Sequence, residues 1–147
     1  MELGRFLDAQ NQVHFKALLE ITNGKKETHW MWYIFPKIRG LGISKTSQHY
    51  GIKNIEEAEA FLAHPVLGKH LVEITEALLQ VENKTAAEIF GAPDDMKLRS
   101  CATLFSNVKN APAVFRKVIE KYFGGVPDEL TLQMIQKKFR NLQRNTV

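Results

Sequence analysis

Nearly every segment of this chain between its glycines and prolines repeats its apolar residues at three- and four-residue intervals, and no two runs of alternating β-branched residues offer to pair. That pattern restricts the fold to helices packed on helices, because a lone strand would leave its backbone groups unsatisfied. Leu3, Phe6, Leu7, Val13, Ala17, Leu18 and Ile21 lay one apolar stripe along a helix from about Leu3 to Thr22, which Asn23 and Gly24 stop. Gln10 and His14 fall on or beside that stripe, either as hydrogen-bonded core residues, the commoner role, or as a pocket wall.

Further along, Thr28 predicts the N-cap of a short helix ending before Pro36, and Ser44 that of a brief helix to Tyr50. Asn54 with Glu57, and Thr85 with Glu88, have capping-box spacing. His64-Pro65 breaks the chain before a helix reaching about Glu82. Pro93, Asp94 and Asp95 start a helix to about Lys109 whose Leu98, Cys101, Ala102, Phe105 and Val108 face the core. Asn110-Ala111-Pro112 opens the next, Gly124-Gly125 ends it, and Asp128 caps the last. About eight stacked helices without significant sheet are expected, in one all-α domain over residues 1–147.

Charge adds little direction. Lys137, Lys138, Arg140 and Arg144 lie in the last eleven residues, which hold no acid, and the rest of the chain is neutral. Residues 137–147 read as a basic helix end or tail; a nucleic-acid binder spreads its basic patch across the fold, so nucleic acid is disfavoured as a partner. One cysteine excludes an internal disulfide and a cysteine-cluster zinc site, and Cys101 is expected as a buried, inert thiol. The N-terminus has no secretory pattern and the longest apolar run, Trp30 to Phe35, is too short to cross a bilayer, so we expect a cytoplasmic protein without membrane association.

The densest stretch for chemistry is Thr28 to Gly42, which holds both tryptophans, His29 and a Gly40-Leu41-Gly42 turn. Rings this dense either anchor a core or line a pocket beside it. His29-Trp30-Met31-Trp32, Phe35-Pro36, Gly40-Leu41-Gly42, His64-Pro65-Val66-Leu67-Gly68, Lys97-Leu98-Arg99-Ser100, Thr103-Leu104-Phe105 and Tyr122-Phe123-Gly124 follow in an order that resembles one family. It is the uncharacterised, mainly bacterial family catalogued as domain of unknown function 1810, and the resemblance runs from Arg5-Phe6 to Asp128 and Thr131. It implies an all-α fold in a small stand-alone protein, with no established activity or cofactor. Four positions depart from the family pattern: Tyr33 for phenylalanine, Lys37 for glutamine, His14 for tyrosine and Ala102 for methionine.

Within these motifs His29 and Asp94 are the candidate catalytic acid or base, against the bland readings of a structural histidine and a helix-start acid. Trp30 and Trp32 are candidate stacking surfaces; Arg39, Lys97 and Arg99 can neutralise a phosphate; Ser100 and Thr103 complete the ligand-binding set. No cofactor or metal is expected, since the histidines are scattered. Two functions compete: a small-molecule site for a nucleotide- or ribose-phosphate-like ligand, extending to hydrolysis by His29 and Asp94, and a non-catalytic helical interaction module.

Overall fold

A computed structural model describes residues 2–145 of the chain. Among them the elements are α1 Gly4–Gln10, α2 His14–Thr22, α3 Met31–Ile34, α4 Lys45–Tyr50, α5 Ile55–Ala63, α6 Leu67–Leu79, α7 Ala86–Phe90, α8 Asp94–Ser106, α9 Val114–Phe123 and α10 Glu129–Asn145. The class agrees with the periodicity, but ten helices replace about eight. The single helix expected over Leu3–Thr22 is two, because Gln12 takes a φ of 66° and breaks the hydrogen-bond ladder without a glycine or proline to announce it. One isolated parallel bridge, Ile38 to Ile52, is the sole extended pairing among the described residues.

Most stops and starts follow local chemistry. Thr85 accepts from the Glu88 amide while Glu88 returns a carboxylate to the Thr85 amide, a complete capping box. Asn54 accepts from the Glu57 amide, Ser44 from the Ser47 amide, and Asp128 from the Thr131 amide at 3.2 Å. Thr28 behaves differently from its expected cap. Its amide and hydroxyl both donate to Glu20, and the one-turn α3 begins three residues later.

Helix α8 lies at the centre, against α5, α7, α9 and α10, while α6 packs on α2, α5 and α9. Leu98, Cys101, Ala102, Leu104 and Phe105 are the buried face of α8. A file of rings, Phe6 to Phe61 to Phe105 to Phe115, runs through the core with centroids 5.1 to 5.5 Å apart. Between α5 and α6 the backbones approach so closely that a Cβ on Gly68 would lie 2.0 Å from the Leu62 carbonyl oxygen. Lys137, Lys138, Arg140 and Arg144 all ride on α10; the last two residues of the basic segment lie outside the described residues. No helix among the described residues is long and apolar enough to cross a membrane.

Candidate functional site

The aromatic motif is built around a carboxylate that periodicity did not single out. Glu20, 8% exposed on α2, accepts from the Glu27 amide (2.7 Å), the Thr28 amide (3.0 Å), the Thr28 hydroxyl (2.6 Å) and Trp30 Nε1 (3.0 Å). Burial alone would raise its pKa; these four donors outweigh burial and bring it from 4.5 to about 2. The indole they hold, Trp30, is 1% exposed and packs against Phe35, so it belongs to the core and presents no open face for stacking.

Next to it runs an alternation of charge and ring. Lys26, its side chain 7% exposed, lies 5.1 Å from the Trp30 centroid and 3.0 Å from Asp94 Oδ2; Lys97 lies 3.1 Å from Asp94 Oδ1 and 3.9 Å above the Trp32 ring. Lys37 faces the same Trp32 ring at 5.5 Å. Burial would raise Asp94, but the two ammonium groups hold its carboxyl below the usual carboxylate range. Burial and then the Lys97 charge lower Lys37 from its ordinary value, with Asp128 opposing them. The space beside Trp32, Lys37, Tyr50 and Lys97 is too narrow to admit a water molecule.

The structure thus brings Trp32, Lys97 and Asp94 together with Lys26 and Lys37. His29 stands apart: it is exposed, its carbonyl accepts from the Tyr33 hydroxyl at 3.4 Å, and among the described residues no bond joins it to Asp94. The other motif residues hold the start of α10. Arg99 Nε donates to the Val126 carbonyl (2.9 Å), Ser100 Oγ to Asp128 Oδ2 (2.9 Å), and Thr103 Oγ1 accepts from the Asp128 amide (2.8 Å). Ser100 and Thr103 are buried.

Arg39 belongs to a different place. The Ile38–Ile52 bridge, through Arg39 N to Ile52 O (2.7 Å) and Ile52 N to Lys37 O (2.9 Å), lays this segment beside Gly51, and a Cβ there would sit 2.6 Å from the Arg39 Cα. Arg39 then lines an open cleft of about 950 Å³ together with Arg5, Asp8, Gln48, His49 and Tyr50, and also an adjoining one of about 350 Å³ with Lys53 and Glu57. Arg5 is fully engaged: it donates to the carbonyls of Glu2, His49 and Gly51 and pairs with Glu57 at 2.6 Å. Burial would raise Glu57, but Arg5, the Lys53 amide and Arg39 hold it below its ordinary value. The Arg39 side chain makes no hydrogen bond or ion pair among the described residues, and its Nε is buried without a partner.

A third cleft, of about 590 Å³, shares Asp8 with the first and is walled by Gln10, His14 and His70. Gln10 and His14 are buried and hydrogen-bonded, as the commoner of the two readings expects, and they also edge this cleft. Arg5, Glu20, Lys26, His49 and His70 escaped the sequence reading because each meets its partners across a turn or tens of residues; the polar pair Gln10 and His14 on the apolar stripe, with the departure at His14, pointed toward the third cleft.

Fold and clefts together define a small all-α protein whose charged groups line open clefts on its surface. The chain belongs to the family described as "Protein of unknown function (DUF1810)", whose model matches residues 1–135. It is similar to the crystal structure of the conserved hypothetical protein Rv1873 from Mycobacterium tuberculosis, with 42% identity over 92% of this chain and 96% of that one, and a TM-score of 0.90. No curated protein matches it.

Proposed function

We propose that this protein binds a small phosphorylated molecule of nucleotide or sugar-phosphate size in the Arg39 cleft. The observation that carries this reading is the Arg39 guanidinium, a five-donor group whose buried Nε has no hydrogen-bond partner among the described residues, in the wall of a cleft of about 950 Å³. Arg5, Lys53 and Lys138 surround it with further positive charge; of the nearby carboxylates Glu57 is taken by Arg5, while Glu2 and Asp8 edge the cleft. A planar guanidinium fork in such a field suits a dianion. His49 and Tyr50 supply ring surface, and Glu2 and Asp8 supply acceptors for sugar hydroxyls.

Binding, rather than hydrolysis by His29 and Asp94, is the reading this geometry supports. A carboxylate held ionised by two lysines is a weak base, and among the described residues no hydrogen bond orients the His29 ring. The test is calorimetry with AMP and ribose 5-phosphate against adenosine and ribose. Phosphate-dependent binding, weakened about 10- to 100-fold in Arg39→Gln, is expected. Equal affinity with and without the phosphate, or an indifferent Arg39→Gln, refutes the proposal. Failure of every ligand would favour the interaction module, for which α10 exposes Phe139 and Leu142 one turn apart.

A further inference from the structure

The cleft walled by His14 and His70, which shares Asp8 with the Arg39 cleft, has an opposite chemistry. His14 and His70 stack with ring centroids 3.7 Å apart and an interplanar angle of 7°. Their tautomers follow from their partners. The Gln10 amide donates through Nε2 to the Tyr33 carbonyl (2.9 Å), so its Oε1 faces His70 Nδ1 (2.9 Å) as an acceptor, and Nδ1 carries the proton. His70 Nε2 is then a lone pair with no partner among the described residues. His14 Nε2 meets Glu73 Oε1 at 3.1 Å; a carboxylate accepts, so in the neutral ring the lone pair is on Nδ1, which is buried and unpartnered.

What the histidines leave over is therefore acceptor, not donor. Asp8 is the formal charge in the wall, and the amides of Asn11 and Gln12 serve either way. The remaining surface is apolar and unusually open, with Phe15 76% and Val66 43% exposed beside the histidines. A metal ion is a poor match: among the described residues no three His, Cys, Asp or Glu side chains are placed to hold one.

We infer that the His14–His70 cleft binds a small organic ammonium ion with an apolar or aromatic arm, its N–H groups donating to His70 Nε2 and Asp8 while the arm covers Phe15 and Val66. Only such a ligand brings donors, positive charge and apolar surface together. Burial, then His14 and Lys69, lower the His70 pKa, against Glu73, so the lone pair persists at neutral pH.

Three probes of one shape test this: phenethylammonium, 2-phenylethanol and phenylacetate, titrated into the full chain by calorimetry at about pH 7.5. Phenethylammonium is expected to bind about tenfold or more tighter than the alcohol, and phenylacetate weakest. His70→Asn keeps an N–H near the Nδ1 position for Gln10 and removes Nε2; with its melting curve intact it should lose about 10- to 100-fold in amine affinity. Asp8→Asn, at an exposed position, should weaken the amine and leave the alcohol unchanged. Binding should also fall as the solution is acidified below His70's lowered pKa. Equal affinity for the three probes, no amine binding, or an unaffected His70→Asn overturns the inference. So does an imidazole nitrogen NMR spectrum placing the His70 proton on Nε2, a readout independent of any ligand.

Discussion

Replacing Glu20 by glutamine isolates the charge that organises the aromatic motif. The amide oxygen can still accept from Glu27 and Trp30, and the Thr28 hydroxyl can turn to accept from the new NH₂, so shape and most hydrogen bonds survive. What disappears is the ionised acceptor, whose pKa falls from 4.5 to about 2 on folding. By linkage that difference is worth about 3 kcal/mol at neutral pH, and about 2 kcal/mol once discounted for solvent screening. A group depressed in the folded state contributes fully above its unfolded value, so the contribution holds above about pH 4.5 and is lost as pH falls toward about 2. Urea unfolding of wild type and Glu20→Gln should therefore differ by about 2 kcal/mol at neutral pH, or about 5 °C in melting temperature, with the gap narrowing below about pH 4.5 and closing as pH falls through about 2. Equal stability at neutral pH, or a gap unchanged between pH 7 and 3, would refute the reasoning.

Gly68→Ala should destabilise by more than about 3 kcal/mol by chemical denaturation, because its Cβ would collide with backbone rather than with a side chain able to move. Asp94→Asn leaves Lys26, whose side chain is 7% exposed, without its counter-charge; a loss of about 3 kcal/mol is expected, shrinking in wild-type comparison as acid protonates Asp94. Cys101, buried and with its thiol pKa pushed well up by burial, should resist a thiol reagent in the native protein and react at once in urea.

The helices were legible where a local device makes them. Thr85 with Glu88, Asn54, Ser44 and Asp128 cap what their spacing says they cap, and the apolar stripe of α6 is the buried one. Where sequence reasoning failed, a distant partner outbid the local option. Thr28 had the chemistry of an N-cap, but Glu20, eight residues earlier, took both its donors. The periodicity of Phe6, Leu7 and Val13 runs straight through the break at Gln12, since two helices on one core keep one stripe. The candidate site divided for the same reason. Trp30 and Trp32 lie two residues apart, yet one is sealed in the core and the other meets two lysines; Arg39, from the same stretch, lines a different cleft, while Lys97, from a distant motif, covers Trp32. Gln10, His14 and His70 meet from α1, α2 and α6, which no spacing along the chain reveals.

The bridge between Ile38 and Ile52 bears on how this chain can change length. It buries Ile38 on one side and leaves Lys37 and Arg39 on the other, so the two cations are spaced by the two-residue repeat of an extended backbone. One residue inserted or deleted between Pro36 and Ile38 would turn a charge into the core and an isoleucine out to water. Substitutions there leave that frame intact, as lysine does at position 37, whereas insertions and deletions are better borne outside the bridge.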